Sequence, residues 1–175
     1  MAQTEIETTY LAASLPENLA SYNHKKLMDV YFPAGAAHPS LRIRQKGDAY
    51  VLTKKRQVEA NDASVQTEED IELTREEFEA LRAGNGKVVT KVRYEVPYDA
   101  YTAEVDVFTG ELDGLVLVDI EFESKQERDA FRKPDFCGAD VTQEEFIAGG
   151  MLAGKNLADI QGELDRLQYK SLRLS

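Results

Sequence analysis

The sequence predicts an α+β fold: an eight-stranded antiparallel sheet, open or closed into a barrel, with helices packed outside it. Three observations point there. Eight short extended segments, at 3–11, 25–33, 40–46, 49–58, 65–73, 88–97, 101–109 and 115–124, follow one another with turn signals between several of them. Few long crossovers separate them, which favours antiparallel neighbours over parallel ones. The chain's 175 residues, 42% of them hydrophobic, suit a single domain over 1–175 with a core of its own.

The punctuation places the elements in order. Lys46-Gly47-Asp48 divides the third strand from the fourth, and Gly84-Asn85-Gly86 precedes the sixth. Thr109-Gly110 and Asp113-Gly114 bracket the gap before the eighth. Thr74-Arg75-Glu76-Glu77 reads as a capping box, in which a hydroxyl accepts from a free helical N–H and the glutamate returns the bond. Ser124-Lys125-Gln126-Glu127 and Thr142-Gln143-Glu144-Glu145 repeat that pattern. A last amphipathic helix is expected over about 156–168, with Leu157, Ile160, Leu164 and Leu167 at helical spacing.

Composition removes several function classes. The 21 basic and 32 acidic residues give a net charge of −11, the opposite of a nucleic-acid footprint or a membrane-docking surface. No stretch approaches the roughly 20 apolar residues of a membrane span. No basic region followed by an apolar run marks a secretory leader. One cysteine, Cys137, suits a reducing cytoplasmic compartment and cannot build a cysteine-rich metal site. His24 and His38 lie in turn-like surroundings and are expected at the surface.

The informative pattern lies inside the strands. Like charges recur at i and i+2, positions that point the same way. The acidic pairs are Glu5 and Glu7, Glu68 and Asp70, Glu104 and Asp106, and Asp119 and Glu121. The basic pairs are Arg42 with Arg44 and Lys91 with Arg93, and Lys55 shares a face with Val51 and Thr53. An ordinary solvated sheet face would mix the signs. Like charges kept together need counter-charges from other strands or from a ligand. If helices cover the apolar face, the charged face turns inward, and a barrel supplies that geometry. Carboxylates suit Mg²⁺ and Mn²⁺, while arginine forks and lysine point charges suit phosphate oxygens. A site with both matches a metal–polyphosphate complex, whose chemistry depends on positioning and charge neutralisation.

Taken in order, Glu5-x-Glu7, Leu41-Arg42-Ile43-Arg44, Thr53-Lys54-Lys55, Lys91-Val92-Arg93-Tyr94, Glu104-Val105-Asp106-Val107-Phe108 and Asp119-Ile120-Glu121-Phe122 resemble the CYTH superfamily of triphosphate tunnel metalloenzymes. The resemblance runs from residue 4 to about 145. It implies an eight-stranded tunnel that hydrolyses a triphosphate, inorganic triphosphate first, with Mg²⁺ or Mn²⁺. Thiamine triphosphatase-like or class IV adenylate cyclase-like activity, or a non-catalytic polyphosphate or nucleotide-binding module, are the alternatives it leaves. By motif position Glu5, Glu7, Asp119 and Glu121 would hold metal, and Glu5, Glu7, Glu104 and Asp106 would serve catalysis. Arg42, Arg44, Lys55, Lys91 and Arg93 would hold phosphates, supported by Glu68 and Asp70. The implied partner is a triphosphate-containing small molecule, with no nucleic acid and no membrane, bound by a monomer or homodimer. One departure stands out. The family signature ExExK ends here in Thr9, a hydroxyl where the pattern has a cation. Gly149-x-x-x-x-Gly154-Lys155 imitates a phosphate-binding loop, but Asn156 follows where a Ser or Thr would bind magnesium, so a plain connection is expected.

Overall fold

The computed structural model describes residues 3–174; residues 1, 2 and 175 of the expected domain lie outside it. In chain order the strands and helices are β1 (Gln3–Ala12), β2 (His24–Phe32), β3 (Leu41–Lys46), β4 (Ala49–Glu59), β5 (Asp62–Leu73), α1 (Arg75–Arg82), β6 (Lys87–Tyr98), β7 (Tyr101–Phe108), β8 (Val116–Phe122), α2 (Lys125–Ala130), β9 (Cys137–Asp140), α3 (Gly149–Leu152) and α4 (Gln161–Arg166). All eight expected strands are present.

Neighbouring strands run β5-β4-β3-β2-β6-β7-β8-β1, and β1 pairs back onto β5, so the sheet closes into an eight-stranded antiparallel barrel. β1 is the seam. One of its edges pairs with β8, Ile6 opposite Phe122 through Leu11 opposite Leu117. The other edge is divided: Gln3–Ile6 pairs with Glu68–Val65 of β5, and Tyr10 and Ala12 pair with Asp140 and Cys137 of β9. The ninth strand has no counterpart in the sequence reading, because four residues including a glycine carry no usable alternation.

Period-two alternation sorts the barrel wall. Val105 and Val107 flank Asp106, and Val118 and Ile120 flank Asp119. Val105, Val118 and Ile120 are buried under an outer layer that includes Leu19, Tyr94, Phe131 and Phe136. A second apolar cluster joins Leu11, Val89, Phe108 and Leu117 of the strands to Ile147, Leu152, Ile160 and Leu164 of the later segment. A third seats α1: Phe78, fully buried, packs on Val30, Ile43 and Tyr50.

The Thr74 box forms in full, with Glu77 N–H donating to Thr74 Oγ1 at 3.2 Å and Thr74 N–H to Glu77 Oε2 at 2.8 Å. At Ser124 the hydroxyl caps α2, but the Glu127 carboxylate accepts from Glu123 N–H instead. Thr142 starts no helix, which corrects the sequence reading. Its hydroxyl accepts from Thr9 N–H at 3.0 Å and donates to Asp140 at 2.6 Å, so it is consumed by contacts to other strands. The chain there makes a 3-10 turn at Glu145–Ile147 followed by α3. The single helix expected over 156–168 is divided as well: a 3-10 turn, Leu157–Ile160, capped by Asn156 and Asp159, leads into α4. Among the described residues no helix is long and apolar enough to cross a membrane.

Phe78 is the one buried residue of α1, and its ring centroid lies 5.0 Å from that of Tyr50. Phe78→Ala is expected to cost about 3–5 kcal/mol in urea unfolding, against less than about 0.5 kcal/mol for Leu81→Ala on the exposed side of the same helix.

Candidate active site: a charged cavity inside the barrel

The barrel encloses a cavity of about 1180 Å³. Its lining carries every expected site residue except Asp70. Strand register explains the pairing. Asp29 and Tyr31 of β2 stand opposite Arg44 and Arg42 of β3, and Arg93 of β6 opposite Asp106 of β7. Directly opposed residues share a face, so Arg42, Arg44 and Arg93 each meet a polar partner across one strand gap, while Lys91, opposite Phe108, reaches Asp106 diagonally.

The basic wall is tightly held. Arg44 makes a two-pronged contact to Asp29, Nε and Nη2 each at 2.6 Å. Burial would raise the Asp29 carboxyl, but the Arg44 guanidinium overrides it and holds it at about 2. Arg93 reaches three carboxylates: Asp106, Glu104, and Asp119 at 3.1 Å. Asp106 is fully buried and divides its oxygens between Arg93 and Lys91. Burial pushes the Lys91 ammonium down against the pull of Asp106. Arg42 donates Nη2 to Glu68 at 3.0 Å, while its buried Nε has no hydrogen-bond partner.

The acidic wall is held less completely. Lys55 lies 2.9 Å from Glu5, 2.9 Å from Glu68 and 4.0 Å from Glu7. Burial, reinforced by a hydrogen bond with Glu68, pushes Glu5 up to about 7. For Glu68 the effect of burial is outweighed by Glu5, Lys55 and Arg42, which hold it at about 2. Burial also raises Glu7, Asp119 and Glu121, with Glu104 and Glu7 adding to the last by repulsion. Thr9 Oγ1 donates to Asp119 Oδ1 at 2.8 Å. Among the described residues no three acidic, histidine or cysteine side chains converge as a ready-made metal cage. The carboxylates instead face Lys55, Arg93 and Thr9.

Asp70 lies outside the lining. It is exposed and accepts from Thr53 Oγ1 at 2.6 Å, because β5 leaves the cavity before it. Glu144 and Glu145, expected on a solvated helix, border the cavity, as does His38 at its rim. Lys26 is exposed and away from the cavity. The glycines of the imitated phosphate loop serve packing: a methyl on Gly149 would overlap the Tyr31 hydroxyl, and one on Gly150 the Pro39 carbonyl. Cys137 is buried, which pushes its thiol up to about 12 and out of any nucleophilic role. Sequence reasoning missed Asp29, Tyr31 and Thr142. The signal for Asp29 was a lone acid between apolar neighbours, sharing a face with Leu27 and Tyr31.

The Asp29–Arg44 pair sets an acid limit. Its carboxyl is lower folded than unfolded, so its stabilisation is complete above about pH 4 and is lost as pH falls towards 2. Asp29→Asn is expected to flatten the acid side of the stability–pH curve, read by thermal unfolding between pH 2 and pH 7, and to lower the plateau by leaving Arg44 unpaired.

No protein-family model matches the chain. An inorganic triphosphatase of Nitrosomonas europaea is 33% identical over 153 residues, covering 86% of this chain and 97% of its own length. A solved structure of an inorganic triphosphatase is similar with a TM-score of 0.63 at 30% identity, over 86% of this chain and 95% of that one. A Bacillus halodurans structure, 15% identical, shares the fold with a TM-score of 0.55 over 99% of this chain and 95% of its own. Identity and coverage at this level, together with segregated charged strands facing the inside of a closed eight-stranded barrel, establish that the chain belongs to the inorganic triphosphatase family of the CYTH superfamily.

Proposed function

We propose that this chain hydrolyses inorganic triphosphate inside the barrel, with Mg²⁺ or Mn²⁺ as cofactor, in the reducing cytoplasm. The observation that carries the reading is the charge of the cavity. Its lining holds eight basic side chains and ten carboxyl groups, so its formal charge is negative when all are ionised. A polyanion enters such a space only with cations. The donor set fits that requirement: the free acids are hard oxygen donors, desolvated and mutually repelling, which favours a small divalent ion over bare ionisation. Glu5, Glu7, Asp119 and Glu121 would hold it, with Lys55 displaced from Glu5 and Glu7 towards a phosphate.

Arg42, Arg44, Lys91 and Arg93 bind the phosphate oxygens and hold the chain of three phosphates along the basic wall. Arg42 Nε is a buried donor that gains a partner when a phosphate oxygen arrives. Asp29, Glu68 and Asp106 keep these cations charged and fixed. A carboxylate of the acidic wall orients a water in line with the terminal phosphorus and takes its proton. The new bond forms from that water to phosphorus, the bridging P–O bond breaks, and phosphate and diphosphate leave. The divalent ion, when bound, contributes neutralisation of charge on the phosphate oxygens and on the leaving group.

Phosphate release from triphosphate is expected only with Mg²⁺ or Mn²⁺ present. Glu5→Ala and Glu7→Ala should each lower kcat/KM by at least about a hundredfold, more than loss of an outer-sphere contact to a metal costs. Absence of metal-dependent release would sink the enzyme reading. Thr9 favours a second reading, binding without turnover, since the cation of the family signature is missing there. Under the enzymatic reading, Thr9→Lys adds a cation beside Asp119 and should tighten triphosphate binding about tenfold in a calorimetric titration. An unchanged affinity would show that the hydroxyl at this position has no electrostatic consequence.

A further inference from the structure

Thr9 stands where the family signature has a lysine, and the structure gives its hydroxyl a definite task. In the β1–β8 register Thr9 lies directly opposite Asp119, and both side chains line the cavity. Thr9 Oγ1 donates to Asp119 Oδ1 at 2.8 Å, and Arg93 Nη2 donates to Oδ2 at 3.1 Å. The carboxylate is therefore held at both oxygens, while its side chain stays 16% exposed. Of the two donors Arg93 is divided, since it also serves Glu104 and Asp106. The Thr9 hydroxyl serves Asp119 alone. Thr9 is itself fixed from the β9 side. Its N–H donates to Thr142 Oγ1 at 3.0 Å, and its carbonyl accepts from Val141 N–H at 2.8 Å. The Thr142 hydroxyl donates in turn to Asp140 at 2.6 Å. β9 comes this close to β1 because Gly138 has no side chain: a Cβ there would lie 2.8 Å from the Leu11 carbonyl oxygen. A line of contacts thus runs from exposed Asp140, through Thr142 and Thr9, to Asp119 in the cavity.

We infer that Thr9 is a positioning residue for the divalent cation: its hydroxyl fixes Asp119 in the cavity wall and leaves that carboxylate its charge. The inference rests on the metal-dependent reading of the cavity. A hydroxyl orients a carboxylate without adding charge. Each carboxylate oxygen has room for more than one partner, so Asp119 can take a cation while Thr9 keeps its bond. An ammonium at this position would orient the same carboxylate and cancel it. The residue at position 9 therefore decides which ligand the empty cavity favours. Threonine favours the cation, and lysine favours the polyanion. The charge that the signature builds into the chain is supplied here by the metal.

The test measures metal binding without turnover. Mn²⁺ is titrated into the full chain in the absence of triphosphate, and bound metal is read from the loss of the free Mn²⁺ signal in electron paramagnetic resonance. Thr9→Val keeps the branched shape and removes the hydroxyl. It is expected to raise the Mn²⁺ Kd about tenfold, the usual weight of a hydrogen-bonding partner behind a metal ligand. Thr9→Ser restores the hydroxyl and should recover most of that affinity. In an Asp119→Asn background Thr9→Val should change the Mn²⁺ Kd by less than about twofold, because Thr9 acts through Asp119. Thr9→Lys should weaken Mn²⁺ binding by at least about tenfold while tightening sodium triphosphate measured calorimetrically in EDTA, a pair of opposite shifts that a packing defect does not produce. An unaltered Mn²⁺ Kd in Thr9→Val overturns the inference. So does an equal loss in the Asp119→Asn background, a loss in Thr9→Ser as large as in Thr9→Val, or a Thr9→Lys protein in which both affinities fall. Should Thr9→Val not fold, Thr9→Ala serves in its place with the same expectations. Wild-type protein that binds no Mn²⁺ would overturn the metal-dependent reading of the site, a result distinct from wild type and Thr9→Val binding Mn²⁺ equally well.

Discussion

Charges enclosed by a closed barrel must be balanced from within, and the rest of this structure depends on that constraint. Removing a charged side chain from water costs several kcal/mol even after relaxation. A wall that carries four of them on the basic side alone stands only if each meets a counter-charge at contact distance. The strands solve this by register. β2 against β3 sets Asp29 on Arg44, and β6 against β7 sets Asp106 beside both Arg93 and Lys91. The same antiparallel pairing that closes the sheet therefore makes the ion pairs, and the apolar alternates fall outside, where Val105, Val118 and Ile120 build the core.

The balance is uneven, and the unevenness is where chemistry enters. Asp29 and Asp106 are each matched by an arginine in a two-pronged contact and stay ionised through the neutral range. Glu5, Glu7 and Glu121 share Lys55 and a distant arginine among them, and burial lifts all three. The cavity thus has one wall whose charges are matched and one whose carboxylates are short of counter-charge. The acidic wall seeks charge; the basic wall, already neutralised, offers directed donors. In the proposed reaction, substrate and cation would relieve different parts of one deficit.

Much of this was legible in the sequence, for a reason that also fixes its limit. A strand has an exact period of two, so Glu5 with Glu7, Arg42 with Arg44, or Lys91 with Arg93 declare a common face wherever the strand ends up. Opposite sides of a β-strand are readable; position along the barrel is not. Asp70 shares a face with Glu68, yet lies beyond the cavity, because face and depth are independent. Asp29 escaped notice since a single acid makes no pair. Thr142 was misread because a capping pattern looks only forward along the chain, while its hydroxyl is claimed by Thr9, brought to it by the closed sheet, and by Asp140 two residues before it. β9 and the split final helix failed for the same reason: short elements are set by what they touch, not by their own propensity.

The divided edge of β1 has a consequence for synthesis of the chain. Its partners include Val65, Glu121 and Asp140, so the strand leaves the ribosome long before anything it will pair with. Until β5 and then β8 emerge, both of its backbone edges are open to any neighbouring extended chain, the circumstance in which nascent proteins aggregate. Glu5 and Glu7 sit on that strand. Two negative charges two residues apart repel a second copy of the same segment, whose register would set glutamate against glutamate. The acids that line the finished cavity thus also guard the unfinished strand, and replacing them with neutral residues would expose the protein during its own translation as well as at its site.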